Sequence, residues 1–345
     1  MKEYEKQDLE SFIEKDIFDK YQKYKAIKKK PKKSTIWIIF VFAILLGLVT
    51  ILFKTEVIYL WIFNELIFFG LIIADIGLVV ALICLIFNYF SQKRRYEIGF
   101  INTLETDKYY YIALSNLTGG YVDQLVIRGN FLKTYFNVKP FIKGAHRISV
   151  NDVLSFVLEG QLFCYGVVMS STRYPGTKKS GDIYVPHYQT FIVGDFIKKF
   201  IEYPAQMFFK TGPFFKSKKT EKIELESKEF NEYANLYADD QIEIRKFFTP
   251  KKISGVLDIK DEPDQAKLKY LFMGRNGILG EVINHRAMHL NQHSFKDFSM
   301  KKTPKELAEQ INAKVLKETR DLFDILRFIQ RLELFPEQED SQKVT

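Results

Sequence analysis

Two long apolar runs lie near the start of the chain. A series of short aromatic and β-branched runs follows, and one long helical stripe closes it. Residues 36–53, IWIIFVFAILLGLVTILF, are 18 apolar or near-apolar positions bracketed by Lys33 and Lys54. That length just spans a hydrocarbon layer of about 30 Å. The second run, 57–90, carries only Asn64, Glu65, Asp75 and Asn88 as strongly polar residues. As one helix it would be about 50 Å long. It therefore reads as an interfacial piece, 57–65, with Tyr59 and Trp61, and a span, 66–90. The pattern predicts a two-helix transmembrane hairpin over 34–92. A cleaved signal peptide is a poor alternative, because thirty-odd polar residues precede the first run.

Before the hairpin, LESFIEKDIFDKYQKY sets Leu9, Ile13, Ile17, Tyr21 and Tyr24 on one helical face. Residues 1–33 thus read as an amphipathic helix followed by a polybasic arm. After the hairpin, 96–335 reads as a mixed, β-rich domain. Strands are predicted at 109–115, 121–127, 153–160, 162–169 and 188–196, with a polar turn or loop at 173–182. FFKSKKTEK (214–222) is a basic connection and a candidate subdomain boundary. KLKYLFMGRNGILGEVIN (267–284) reads as a hairpin turning at Asn276-Gly277. Residues 303–335 read as a long helix capped by Thr303, Pro304 and Glu306. Its apolar stripe is Leu307, Ile311, Val315, Leu322, Leu326 and Ile329. A polar tail, 336–345, ends the chain. The fold class predicted is α+β: a two-helix transmembrane hairpin, then a mixed, β-rich cytoplasmic domain ending in a long α-helix.

Charge sets the orientation. Residues 20–33 hold eight lysines and no acid. Lys28, Lys29, Lys30, Lys32 and Lys33 precede the first run, and Lys93, Arg94 and Arg95 follow the second. The positive-inside rule then places both termini in the cytoplasm of a two-span, multi-pass protein of the cell membrane. The basic residues would meet the lipid face. Asp75, mid-span, suggests either an ion path or, more simply, a hydrogen bond across the hairpin or to another copy. The formal charge of +9 over 345 residues, with 32 Phe and 19 Tyr, carries no argument for nucleic acid. Two cysteines, Cys84 and Cys164, exclude a disulfide scaffold or a zinc ribbon.

YADDQIEIRKFFTP (237–250) concentrates charge. Asp240 and Glu243 have the spacing of a capping box, and Asp239 adds negative charge at a helix N-terminus. Thr249-Pro250 would end that turn and begin another helix, KKISGVLDI, with Ile242, Ile244 and Phe248 supplying buried contacts. A strand alternating at Gln241, Glu243 and Arg245 is the other local reading. Catalysis would need a second carboxylate, or a base and a nucleophile, brought in by the fold. The wider block, EFNEYANLYADDQIEIRKFFTP (229–250), resembles the hallmark of an uncharacterised bacterial group, the domain-of-unknown-function family 3137. The residues that carry the resemblance are Phe230, Tyr237, Asp239, Asp240, Gln241, Glu243, Arg245, Thr249 and Pro250. Ala234 stands where that family usually has an aromatic, and Ile244 where it often has Ala. The resemblance implies a membrane-anchored cytoplasmic domain and brings no activity.

HRAMHLNQH (285–293) places His285, His289 and His293 on one face if helical, the pattern of a metal triad. GEVINH before it reads as strand, which favours ordinary histidines. No P-loop, Rossmann fingerprint, G-x-S-x-G or H-E-x-x-H occurs. No cofactor is implied, and no small-molecule substrate is identifiable. The leading expectation is a membrane-tethered binding or scaffold protein. It would meet the lipid bilayer and recruit a protein partner or a further copy of itself. The alternatives are an enzyme or metal-binding protein at the inner leaflet, and a subunit of a transport complex.

Overall fold

The computed structural model describes residues 6–28, 37, 40–42, 44–45, 47–48, 63–120, 122–128, 147–176, 181–195, 201–209, 220–260, 268–274, 277–282, 300 and 302–333. The chain divides into two compact units. One comprises 1–15, 105–296 and 305–345, and the other 16–104 and 297–304.

The first unit is built on a nine-stranded sheet whose described pairings are all antiparallel. Its strands are β1 (Val122–Arg128), β2 (Arg147–Leu158), β3 (Gln161–Tyr174), β4 (Ile183–Asp195), β5 (Ala205–Phe208), β6 (Glu221–Ile223), β7 (Asn235–Ala238), β8 (Leu268–Gly274) and β9 (Gly277–Val282). In space they run β1-β2-β3-β4-β9-β8-β5-β7-β6. The first four form a meander. The late hairpin β8–β9 is then inserted beside β4, in a register joining Asp195 to Gly277 and Thr190 to Val282.

Val150, Val153, Cys164, Val168, Phe191, Val193, Phe208, Tyr270 and Leu279 form the central buried cluster. Their enrichment in β-branched and aromatic side chains suits a pleated surface. Glu159 (φ 51°) and Gly160 (φ 74°) turn β2 into β3, because a two-residue loop between right-twisted strands needs positive φ at both positions. Gly166 serves close approach. A Cβ there would lie 3.2 Å from the Val153 Cα and 2.9 Å from its Cγ2. Gly166→Ala should therefore cost about 1–3 kcal/mol in chemical denaturation. A neutral result would show that β2 can shift away.

Among the described residues seven helices have defined bounds: α1 (Leu9–Ile27), α2 (Phe63–Ile101), α3 (Thr106–Thr118), α4 (Lys228–Tyr233), α5 (Gln241–Phe247), α6 (Pro250–Lys260) and α7 (Pro304–Arg331). In α7 the stripe Leu307, Ile311, Val315, Leu322, Leu326 and Ile329 is buried, which is how the expected terminal helix secures its place. Phe209 meets Phe328 edge to face at 5.4 Å. One expected strand, 109–115, is instead α3. Tyr109, Tyr110, Ile112, Ala113 and Leu114 are its buried side, and Gly119 closes it in the left-handed conformation at φ 69°.

In the second unit, Tyr21 and Tyr24 of α1 are tied down by their hydroxyls. Tyr21 donates to the Lys302 carbonyl at 2.9 Å, and Tyr24 to the Tyr96 carbonyl at 2.8 Å. Their rings meet Phe100 of α2 at 5.8 and 5.5 Å.

Here the membrane reading is corrected. Among the described residues no helix is long and apolar enough to cross a membrane. That overturns the transmembrane hairpin in the fold class, the multi-pass membrane description, and the cell-membrane localisation with both termini in the cytoplasm. The physical difference is visible in α2. The helix does not stop where the apolar run stops, at residue 90. It continues through Gln92, Lys93, Arg94 and Arg95 to Ile101, and Tyr96 and Phe100 in this last part are buried. A long apolar run fixes composition, whereas the helix ends where its packing ends. The α+β character stands: a large antiparallel sheet with helices.

Candidate functional site

Residues 225–260 fold as a chain of short elements, each begun by a polar side chain that satisfies exposed helix-end N–H groups. Ser227 Oγ accepts from Phe230 N at 3.2 Å and starts α4. The Asn231 side chain clasps Leu225 from both sides, accepting from its N–H at 3.0 Å and donating to its carbonyl at 2.7 Å. Ala234, extended at φ −135°, ends α4 and hands the chain to β7. Asp240 then caps α5, its Oδ1 accepting from Ile242 N at 2.8 Å and Glu243 N at 2.9 Å. Thr249 accepts from Lys252 N at 3.4 Å, and Pro250 is the first residue of α6.

Glu243 does not turn back on Asp240 to close a capping box. Its two oxygens accept from Glu202 N at 2.5 Å and Tyr203 N at 2.9 Å, pinning the turn that leads into β5. Asp239 accepts from the Thr220 hydroxyl at 2.6 Å, and Gln241 donates to Glu221. Arg245 is exposed in the last turn of α5, where its charge suits the negative helix end. Phe230 is fully buried against Phe248, ring centres 5.4 Å apart, and Tyr237 packs edge to face on Phe208 at 5.9 Å. Ile242 is 68% exposed, not buried, because the first turn of α5 faces solvent.

Asp240 and Glu243 are therefore occupied with backbone N–H groups, and Asp239 with the Thr220 hydroxyl, so that each faces a different partner. Asp240→Ala should lower stability by about 1 kcal/mol, and Asp240→Asn by less, since either oxygen caps a helix. Urea unfolding of both variants checks this. Equal losses would point to a need for the negative charge itself.

Beside the block, α4 and α6 enclose an open cleft of about 440 Å³. It is lined by Glu226, Ser227, Glu229, Pro250, Ile253, Ser254, Leu257 and Asp258. One wall is held by Lys260, 3.2 Å from Glu229.

A second polar cluster lies on the buried side of α7. The Tyr110 hydroxyl donates to Glu318 at 2.5 Å, and Lys314 stands 3.5 Å from the other oxygen. Burial raises the Glu318 carboxyl above the usual carboxylate range, and Lys314 opposes that shift. Burial also lowers the Lys314 ammonium. The Tyr165 hydroxyl of β3 is raised, first by burial and then by Asp321 and Glu318. A related arrangement sits in the sheet, where Lys269 is 3.3 Å from both oxygens of Glu281, beside Tyr270. The apolar stripe did contain a signal for the α7 cluster. It skips from Val315 to Leu322, and the positions between them on that face are Glu318 and Thr319.

The remaining sequence candidates are not gathered here. His285, His289 and His293 lie outside the described residues, as do Lys29, Lys30, Lys32 and Lys33. The Asp75 backbone belongs to α2, and its side chain is outside what is described. Lys28 is exposed just past α1, Lys93 is 3.7 Å from Glu97, and Arg94 and Arg95 are exposed. Among the described residues no group of three or more His, Cys, Asp or Glu side chains is placed to hold a metal ion.

No curated protein matches the chain. Among solved structures, the crystal structure of the mycobacterial trehalose monomycolate transport factor A, TtfA, matches at 10% identity and a TM-score of 0.31. The match covers 63% of this chain and 93% of that one. The family match falls on the stretch that contains the capped block and the cleft: residues 187–333 carry the domain of the family described as Protein of unknown function (DUF3137).

Proposed function

We propose that the chain is a binding or scaffold protein that recruits a protein partner or associates with itself, and that it performs no chemistry at the 239–245 acids. One observation carries this reading. Asp239, Asp240 and Glu243 of the hallmark block are used on backbone N–H groups and on the Thr220 hydroxyl, and an open cleft lies beside them between α4 and α6. A catalytic centre needs a nucleophile and a base within hydrogen-bond reach, with room for a substrate between them. A recognition surface needs a preformed shape, and tightly capped short helices provide one at low entropic cost.

The test uses the full-length chain in its own cells. A photo-crosslinking side chain is placed at Ser254 on the cleft and, separately, at Tyr184 on the exposed outer part of β4. A discrete protein adduct, or a dimer of the chain, supports the reading. Folded, expressed protein that yields no adduct from either position removes it.

A further inference from the structure

We propose that the cleft between α4 and α6 docks a lysine- or arginine-rich segment of a protein partner, with one aliphatic side chain of that segment seated on Pro250, Ile253 and Leu257. The proposal rests on the binding reading above and names the chemistry of the partner.

The argument starts with α6. Its deeply buried side is Gly255, Val256 and Ile259. Pro250, Ile253 and Leu257 recur at spacings of three and four on another face, which brings them together as a second apolar stripe. Ile253 and Leu257 are only half-buried and line the cleft. A second apolar stripe on an eleven-residue helix exceeds what anchoring that helix requires. In the bound state it gives a partner's aliphatic group a dry seat, the geometry of groove recognition.

The rim sets the charge of that partner. Glu226, Glu229 and Asp258 line the cleft, and among the described lining residues there is no lysine or arginine. Lys260 offsets part of the Glu229 charge from outside. The chain as a whole is strongly basic, at +9, so this acidic rim stands against its background. Lys228, Lys251 and Lys260 of the same two helices flank the rim, Lys251 paired with Glu333 at 2.5 Å and Lys260 with Glu229 at 3.2 Å, but the charged residues that line the cleft itself are carboxylates. Within a screening length of about 8–10 Å these are the charges a docked segment meets first. Phosphate-bearing partners are repelled by it. A bare metal ion is disfavoured because the carboxylates do not converge. The cleft is open rather than enclosing, which suits one or two protruding side chains of a docked segment.

The experiment measures anisotropy of a labelled synthetic helical peptide, leucines on one face and lysines on the rest, against the full-length chain. The control peptide carries glutamate in place of every lysine. The lysine peptide should bind and weaken with added salt, and the glutamate peptide should not bind. Reversing the rim with Glu226→Lys and Asp258→Lys should lower affinity about tenfold or more. Ser254→Trp fills the cleft from an exposed position without changing charge, and should block binding too. Unchanged affinity in both variants, equal binding of the two peptides, or no binding of the lysine peptide overturns the proposal. If it is overturned while Tyr184 still yields an adduct in cells, the binding reading survives and only the cleft assignment falls. If neither position yields an adduct, both fall.

Discussion

Lys314→Met should destabilise the chain by about 2–3 kcal/mol near pH 7, out of all proportion to the loss of one lysine. Its ammonium stands 3.5 Å from Glu318, and the two side chains are only 21% and 14% exposed. Exposed ion pairs contribute little. Removing one member of a largely buried pair leaves the other charge with the desolvation cost and no Coulombic return. The Tyr110 hydroxyl would remain on Glu318, but one neutral donor does not replace a cation.

The pH dependence follows from the direction of the carboxyl's shift. Glu318 already binds its proton more tightly in the folded state than in the unfolded chain, because burial raises it. Loss of Lys314 raises it further. Acidification from neutral pH toward the ordinary carboxylate range then favours the folded state, because there the folded state is protonated and the unfolded state is not. The deficit of Lys314→Met should shrink as pH falls through that window. Adding Glu318→Gln should recover most of it at neutral pH. Urea titrations near pH 7 and about pH 5 measure both effects. A pH-independent deficit would mean that Lys314 matters through its methylene stem rather than its charge.

Phe230→Ala carries the other large effect, about 3–5 kcal/mol, because the side chain is fully buried and its loss leaves a cavity. The ring packs on Phe248, the C-cap of α5, at 5.4 Å and thereby ties α4 to the end of α5, two residues before α6 begins. The cleft walls are α4 and α6, so peptide binding at the cleft should fall along with stability. Phe230→Leu, which keeps most of the volume, should cost less than about 1.5 kcal/mol and retain binding. Thermal melts beside the anisotropy assay separate the two consequences. A Phe230→Ala variant that melts with the wild type would remove the ring from the core.

Local pattern was a good guide where burial and period agree. The stripes of α1 and α7, and the β-branched runs of β1 to β4, are determined by which side chains must leave water. The run 109–115 misled because its aromatic composition favours a strand, whereas its buried positions and Gly119-Gly120 make it a helix. The 36–53 and 66–90 runs misled in another way, since apolar length says nothing about where α2 ends or about what packs on Tyr96 and Phe100. In the candidate site, the Asp240 cap is a relation between neighbours in the chain, which spacing reports. The Glu243 contacts to residues 202 and 203 bridge some forty positions, and a capping-box pattern drew attention to the wrong donor. The cleft itself depends on how α4 lies against α6, which no local pattern encodes.

The insertion of β8–β9 beside β4 bears on how fast this chain reaches its structure. Asp195 must find Gly277 and Thr190 must find Val282, over loops of about 80 and 90 residues, before the two halves of the sheet are joined. Such pairings are entropically late, and topologies dominated by them fold in milliseconds to seconds rather than microseconds. Until the seam closes, the β4 edge is bare and its inner residues Phe191, Ile192 and Val193 are open to the wrong strand. The family match begins at residue 187, inside β4. A fragment cut there would lose β1–β3, which cover the opposite edge of that strand, and should aggregate on refolding where the full chain does not.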